Sequence, residues 1–223
     1  MSARGWFVTG TDTGVGKSRA SCALLHALRA RYPRCVGMKP VAAGAEPDAR
    51  GRLQNEDALA LRAASNLEVP PELDNPVLLA APMSPHIAAA RAGRTIAIET
   101  LVAAYRALAE RADAVVVEGA GGFLVPLSPH LTGADLAAAL GLPVILVVGL
   151  RLGCLNHTLL TRDAIAARGL PLAGWIASRL DPLMPEQDAN LDYLRAQLPA
   201  PLLADFAWDP QAEPATLAVM LPD

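Results

Sequence analysis

The chain contains 223 residues, of which 52% are hydrophobic and 18% are charged, and its formal net charge is −3 at pH 7. These values are typical of an ordered domain with a well-buried core, and they exclude an intrinsically disordered chain. The basic residues form no dense run, so we expect no nucleic-acid partner.

Short apolar runs alternate with longer helical segments along the chain. The predicted strands are Trp6–Thr9, Cys35–Lys39, Ala114–Glu118, Val144–Val148, Leu172–Ser178 and Leu202–Ala204. The predicted helices cover residues 17–31, 56–65, 99–111, 132–140, 155–168 and 186–197. This alternation predicts an α/β fold, with a mostly parallel sheet flanked by helices on both faces and a single domain over residues 1–223. We expect residues 40–55 to form a surface loop near the ligand, and residues 68–86 are similarly rich in proline.

The segment GTDTGVGKS, residues 10–18, lies between the first predicted strand and the first predicted helix. This placement is typical of a phosphate-binding loop, as in P-loop NTPases, although position 11, where the standard spacing has a glycine, is Thr11. Lys17 is expected to reach the β and γ phosphates, and the Ser18 hydroxyl to bind magnesium. Backbone amides of the loop and the start of the helix would face the phosphates. The loop residues predicted to do so include Gly14, Val15 and Gly16.

Carboxylates that complete a magnesium site are expected at the carboxyl ends of the strands. Glu118 follows a buried apolar run, and the glycine-rich segment after it, Gly119, Ala120 and Gly121, allows close approach to a nucleotide. Asp57 is either a further magnesium ligand or the cap of the helix that follows. Lys39 either faces solvent or shares the sheet edge of Lys17, where a second ammonium group would stabilise a transferred phosphoryl group.

The chain contains, in this order, the blocks GTDTGVGKS, MKPVAAG, NEDALAL, SPHIAA, VVVEGAGG, PVILVVGLRLGCLNH and PLAGWIA. Together they resemble the dethiobiotin synthetase family, and the similarity extends from about residue 5 to residue 208. The resemblance implies ring closure of 7,8-diaminopelargonic acid with CO2 to dethiobiotin, through a carbamate and a carbamic-phosphoric anhydride. ATP is then a co-substrate, magnesium a cofactor, and biotin biosynthesis the pathway.

The resemblance also implies roles for individual residues. Lys17 and Lys39 would contact the carbamate and the transferred phosphoryl group, and Thr13 would lie beside them. Magnesium would be held by Ser18, Asp57 and Glu118. The family works as a homodimer, in which a helix start receives the substrate carboxylate from the other subunit. The residues of that helix start are Gly153, Cys154, Leu155 and Asn156.

Two positions depart from the family pattern. Ala43 replaces a serine that lies near the carbamate, so one substrate contact is lost or supplied by another group. Ser178 replaces an asparagine that contacts the adenine edge, and serine lacks the paired donor and acceptor of an amide. We therefore expect weaker discrimination between ATP and other nucleoside triphosphates. The remaining residues that the resemblance places near the base are Arg179, Ala207, Trp208 and Asp209.

The apolar segments are too short, or too interrupted by glycine and proline, to form a membrane span, and the first residues lack a signal-peptide pattern. The three cysteines, Cys22, Cys35 and Cys154, are far apart and form no CxxC pair. We therefore expect reduced thiols in a cytoplasmic protein that contacts no membrane.

Two other functional classes share this kind of phosphate loop. Nucleotide-switch ATPases of the partitioning and positioning type carry a lysine where this chain has Asp12, and many end in a basic amphipathic helix that residues 212–223 do not resemble. Amide-forming ligases of this fold usually need a glutamine-hydrolysing domain, for which the chain lacks both the length and a nucleophilic cysteine motif.

Overall fold

The computed structural model describes residues 3–222, which contain ten strands, eight α-helices and one 3-10 turn at Pro214–Thr216. The strands are β1 (Arg4–Gly10), β2 (Cys35–Met38), β3 (Val41–Ala43), β4 (Glu46–Pro47), β5 (Leu53–Gln54), β6 (Val77–Leu79), β7 (Ala114–Gly122), β8 (Val144–Leu150), β9 (Leu172–Arg179) and β10 (Leu202–Phe206). The helices are α1 (Lys17–Leu28), α2 (Glu56–Ala64), α3 (Pro71–Asp74), α4 (Pro85–Arg91), α5 (Ile98–Ala109), α6 (Gly133–Leu140), α7 (Cys154–Ala167) and α8 (Gln187–Gln197).

Six strands form one sheet in the order β10-β9-β8-β1-β7-β2, and every pair in it is parallel. The chain runs from β1 to β2 on one side and later from β7 to β8 on the other side of β1. The carboxyl ends of β1, β7 and β8 therefore meet at a point where the strand order reverses, which is where open α/β sheets bind ligands.

Both faces of the sheet are covered, because alternate side chains of each strand point to opposite sides. On one face, Trp6 and Val8 of β1 pack against α1 and α2. On the other face, Phe7 of β1 packs against α5 and α6. At the β8 and β9 end of that second face, Trp175 packs with Leu191 and Leu194 of α8. The predicted α/β class with a mostly parallel sheet is confirmed.

All six predicted strands and all six predicted helices exist, with ends shifted by a few residues. The strand with Glu118 is longer than predicted, because β7 continues through the glycines to Gly122, which pairs with Gly10. The prediction for residues 40–55 is partly wrong: Val41 and Ala42 are buried in β3, which pairs in parallel with β6. Within 68–86, α3, β6 and the start of α4 were not predicted, since short proline-led elements leave little periodicity.

The three cysteines are free and buried. Burial raises the pKa of Cys22 to about 12 and that of Cys35 to about 11, so both remain thiols at neutral pH. No helix within residues 3–222 is long and apolar enough to cross a membrane.

An ion pair with a buried carboxylate and a partly exposed guanidinium joins α2 to α3. The Arg62 guanidinium donates two hydrogen bonds to the Asp74 carboxylate, at 2.7 and 2.6 Å. Asp74 is 4% exposed, and its backbone carbonyl accepts a hydrogen bond from the backbone N–H of Lys39 at 2.7 Å. Asn75 donates from its side-chain amide to the Lys39 carbonyl, at 2.6 Å. The pair therefore supports the segment that carries Lys39.

We expect Asp74→Ala to lower the free energy of unfolding by about 2–3 kcal/mol, because it leaves a partly buried guanidinium without its carboxylate. Urea denaturation measures the loss. Asp113→Ala is the matched control, since Asp113 pairs with Arg34 in the same bidentate manner but at an exposed site. Equal losses for the two variants would contradict the structural role given to Asp74.

Candidate active site

The loop between β1 and α1 has the backbone of a phosphate-binding loop. Gly14 and Gly16 adopt positive φ values of 73° and 88°, a conformation that side-chain-bearing residues rarely adopt. Gly16 caps α1, so the free N–H groups of the first helical turn lie beside the loop. Lys17 is buried, and its Nζ donates to the Asp12 carbonyl at 2.9 Å. Its ammonium group thus lies over the loop where phosphates are expected.

The four predicted polar groups beside the loop form one connected network. The Ser18 hydroxyl lies 2.6 Å from Asp57 Oδ1 and 2.9 Å from Glu118 Oε1. Lys39 Nζ donates to Asp57 Oδ2 at 2.7 Å and to Glu118 Oε1 at 2.5 Å. The structure excludes one alternative for each of Asp57 and Lys39: Asn55, not Asp57, caps α2, and Lys39 does not face solvent, since it is only 4% exposed.

The charges of this network offset one another. Burial lowers the pKa of Lys39, but the carboxylates of Glu118 and Asp57 outweigh it, so the pKa is raised and the ammonium stays charged. Burial raises the pKa of Asp57, but Lys39 outweighs that effect, and the pKa is lowered. Lys17 differs: burial, and then repulsion from Lys39, lower its pKa from 10.5 to about 8. The contacts agree with this, because Ser18, which follows Lys17 directly, shares the carboxylates of Asp57 and Glu118 with Lys39.

Both lysines of the sequence lie in this site, and every other basic side chain apart from histidine is an arginine. A lysine ammonium is a compact charge that fits between two carboxylates, whereas a guanidinium is planar and larger. This use of lysine at only two positions is a sequence signal that the motif analysis did not exploit.

The oxygen atoms present suit magnesium. Glu118 is fully buried, and its Oε2 has no hydrogen-bond partner within the described residues. Together with Asp57 and the Ser18 hydroxyl it offers hard oxygen donors, and magnesium usually takes one or two carboxylates and completes its shell with water and phosphate oxygens. No cluster of three or more His, Cys, Asp or Glu side chains suited to a metal occurs between residues 3 and 222.

The residues predicted to contact the base lie at the carboxyl ends of β9 and β10. Ser178 is buried, and its Oγ lies 2.9 Å from the point where a Cβ on Gly16 would stand, so it adjoins the phosphate loop. Arg179 is held by the carboxylates of Asp205 and Asp188, each at 2.7 Å from Nη2. The predicted base segment that follows β10 is exposed: Ala207, Trp208 and Asp209.

The residues predicted to contact the substrate lie in separate segments, in the phosphate loop, in β3 and at the start of α7. Thr13 is exposed, and its Oγ1 lies 3.4 Å from the point where a Cβ on Gly121 would stand. The Ala43 carbonyl accepts a hydrogen bond from the Asn55 side chain at 3.3 Å. Gly153 caps α7 with a φ of 94°. The next residue, Cys154, is buried, whereas Leu155 is half-buried and Asn156 is exposed.

Sequence reasoning missed two sets of contacts, one made by the phosphate loop and one made by the backbone of Lys39. Asp12 forms an ion pair with Arg151, which joins the phosphate loop to the turn before α7, while its carbonyl holds Lys17. Asp74 and Asn75 hold the backbone of Lys39. Neither contact follows from spacing, because the partners are far apart in the chain.

Polyphosphate binding should take up a proton at Lys17. The pKa of Lys17 in the unliganded protein is about 8, and phosphate charges favour the ammonium form, so the pKa rises on binding. Affinity for ATP is then highest below pH 8 and falls as the pH rises above it. With excess magnesium we expect uptake of about 0.9 protons at pH 9 and about 0.1 at pH 7. Calorimetry in two buffers of different ionisation enthalpy measures the uptake, and equal values at both pH values would contradict the prediction.

Comparisons with known proteins agree with this geometry. A family model described as an AAA domain matches residues 4–216. The chain is 54% identical over 220 residues to the ATP-dependent dethiobiotin synthetase BioD of Aromatoleum aromaticum, which covers 98% of this chain and 96% of the relative. It is 53% identical to the protein of the same name from Xanthomonas axonopodis pv. citri, covering 96% of this chain and 95% of the relative.

Solved structures with the same fold are much more distant in sequence. A ParA family ATPase from Chlorobium tepidum has a TM-score of 0.58 at 15% identity, covering 93% of this chain and 85% of that one. The MinC:MinD cell division protein complex of Aquifex aeolicus has the same TM-score and identity, covering 94% and 83%. These likenesses concern the fold alone, whereas the identity to the two curated relatives extends over nearly the whole chain. The protein belongs to the dethiobiotin synthetase family.

Proposed function

We propose that the chain is an ATP-dependent dethiobiotin synthetase, which closes the ureido ring of dethiobiotin from 7,8-diaminopelargonic acid and CO2. The observation that carries the proposal is the network of Ser18, Lys39, Asp57 and Glu118 beside the phosphate loop and Lys17. It brings two ammonium groups and two carboxylates to the place where a γ-phosphate and an acid acceptor would meet.

The reaction proceeds in three steps. One amine of the substrate takes up CO2 and becomes a carbamate. A carbamate oxygen attacks the γ-phosphorus, ADP leaves, and a carbamic-phosphoric anhydride forms. The second amine attacks the carbonyl carbon, which closes the ring and releases phosphate. The protein's task is to position these groups and to stabilise the charge on the transferred phosphoryl oxygens.

The two lysines divide this task. Lys17 leaves the Asp12 carbonyl and binds the β and γ phosphate oxygens. Lys39 keeps its charge, because its pKa is raised by Glu118 and Asp57, and it stabilises the phosphoryl group as it moves to the carbamate. Thr13 lies beside the reacting groups and helps to orient them.

Magnesium would be held by the Ser18 hydroxyl, Asp57 and Glu118, and when bound it would offset the negative charge of the phosphate oxygens. The Oε2 atom of Glu118, which has no hydrogen-bond partner within the described residues, supports this assignment. Burial of a carboxylate oxygen without a partner costs free energy, and a bound metal ion would remove that cost.

A second copy of the chain would complete the substrate site. Leu152, just before α7, is 94% exposed, and Leu160, in the middle of α7, is 60% exposed. A shallow cavity of about 290 Å³ adjoins this face, lined by Thr11, Gly122, Phe123, Leu124, Val125, His157, Leu160, Thr161 and Ala164. Large exposed apolar side chains beside a cavity are typical of an interface. The first-turn N–H groups of Leu155 and Asn156 would bind the carboxylate of a substrate held mainly by the partner copy.

A nucleotide switch is the competing function. The likeness to the ParA and MinD structures extends to the fold alone at 15% identity, so it does not favour that function. The assay that separates the two is phosphate release from ATP with the diamine and bicarbonate each omitted in turn. Release that needs both, with dethiobiotin identified by mass spectrometry, supports the synthetase. Release that is independent of both supports the switch.

We expect Lys39→Ala to lower kcat about 10²–10³-fold, because a charge-stabilising contact is lost from the transition state. ATP affinity should change by less than about tenfold, since Lys17 still binds the β and γ phosphates. Arg34→Ala is the matched control, because Arg34 precedes β2 at its far end whereas Lys39 follows it. Steady-state kinetics and calorimetry give both quantities. Near-normal kcat in the Lys39 variant would refute its role.

We expect Leu160→Glu to weaken dimerisation and to lower dethiobiotin formation together, since a charge would be buried between copies. Sedimentation velocity and product assays at matched concentrations test this. Leu183→Glu is the control, as Leu183 is 87% exposed in the segment before α8. A Leu160 variant that stays dimeric, or an active monomer, would contradict the proposed interface.

A further inference from the structure

The buried Nε and Nη2 atoms of Arg19 have no hydrogen-bond acceptor among residues 3–222. The guanidinium contacts the ring of Phe206 instead, with Cζ 5.7 Å from the ring centroid. An arginine carries five donors and stays charged in proteins, so buried N–H groups without an acceptor are unusual and call for an explanation.

The neighbouring arginines are different. Arg179 is held by two carboxylates, and Arg151 is paired with Asp12. Arg62 is paired with Asp74. Arg19 follows the proposed magnesium ligand Ser18 directly, yet no carboxylate among residues 3–222 forms an ion pair with it. The missing acceptor is therefore expected on a ligand.

Helix geometry directs Arg19 away from the reacting groups. Successive residues of an α-helix are turned by about 100°, so Ser18 and Arg19 point in different directions. Ser18 contacts Glu118 of β7, whereas Arg19 contacts Phe206 at the end of β10. Phe206 is paired in register with Ser178, whose Oγ adjoins Gly16 of the phosphate loop. Arg19 therefore lies on the side of the loop that faces the ends of β9 and β10.

We propose that Arg19 is a specificity-determining residue, which donates hydrogen bonds to acceptor atoms on the base of the bound triphosphate. The proposal rests on the proposed function for the presence of a nucleotide. In that function the β and γ phosphates bind at Lys17, and the base extends toward Ser178 near the end of β9. The ring of Phe206 contacts the guanidinium by a cation–π interaction and provides no in-plane acceptor for its N–H groups.

A donor-only group distinguishes bases by their edges. Guanine presents two adjacent acceptors, O6 and N7, which arginine binds in a bidentate manner, whereas adenine presents an amino donor beside N7. Ser178 cannot restore the paired donor and acceptor that adenine needs. Arg19 therefore shifts the preference of the site toward bases with a carbonyl edge, so GTP binds comparably to ATP.

The test compares three ligands: ATP, GTP and inorganic tripolyphosphate, each titrated calorimetrically with magnesium into the full chain. In the unmodified protein we expect the Kd for GTP to lie within about tenfold of that for ATP. Arg19→Met should weaken GTP binding about tenfold or more relative to ATP, which is the range of one bidentate contact. Tripolyphosphate binding should change by less than about twofold, because it has no base.

Arg31→Met is the matched control, since Arg31 lies over Tyr32 at the same distance, 5.7 Å, beyond the opposite end of α1. It should leave all three affinities unchanged. Arg19→Lys keeps the charge and loses the planar fork, so it should also lose the relative affinity for GTP. This variant supplies the answer if the Met variant does not fold.

Two results would overturn the proposal. Equal weakening of all three ligands would make Arg19 a phosphate ligand, and an unchanged ratio of GTP to ATP affinity in both variants would leave it a packing residue. The synthetase assignment is tested separately by dethiobiotin formation from ATP. If the chain selects between bases but forms no dethiobiotin, the synthetase assignment is refuted and the role of Arg19 in base selection is still supported.

Discussion

The site depends on one buried interaction, the ammonium of Lys39 between the carboxylates of Glu118 and Asp57. Glu118 is fully buried, and burial of a carboxylate is costly unless a cation is paired with it. Lys39 lowers the pKa of Asp57, and the carboxylates of Glu118 and Asp57 raise the pKa of Lys39, so Lys39 stays charged. The arrangement therefore maintains both the negative oxygens that suit a metal and the positive group that suits a phosphoryl group, in a place with little water.

The order of the strands makes this interaction possible. Lys39 follows β2, Glu118 lies in β7, and the phosphate loop follows β1, and these three strands are neighbours in the sheet. Because all are parallel, their carboxyl ends meet at one edge. Asp57 is not on a strand but in the first turn of α2. The same helix carries Arg62, whose ion pair with Asp74 supports the backbone of Lys39.

The loop separates the proposed functions of the site into two sides. Toward β7, compact lysines and carboxylates face the position of the reacting groups. Toward β9 and β10, Ser178, Arg19 and Phe206 lie together on the side proposed for the base. Lys17 lies at the junction, with a pKa lowered to about 8 by burial and by Lys39, so its charge responds to the arrival of phosphates.

The sequence by itself determined the fold class, the six main strands, the phosphate loop and the family, because apolar runs, a glycine-rich loop and specific blocks are local patterns. It left Asp57 and Lys39 undecided, since a residue at a strand or helix end can face either solvent or a neighbour. Only the tertiary structure decided them, by bringing residues 18, 39, 57 and 118 within hydrogen-bond distance. The same holds for β3, for the Arg62–Asp74 pair and for the contact of Arg19 with Phe206, which join segments that no local pattern brings together.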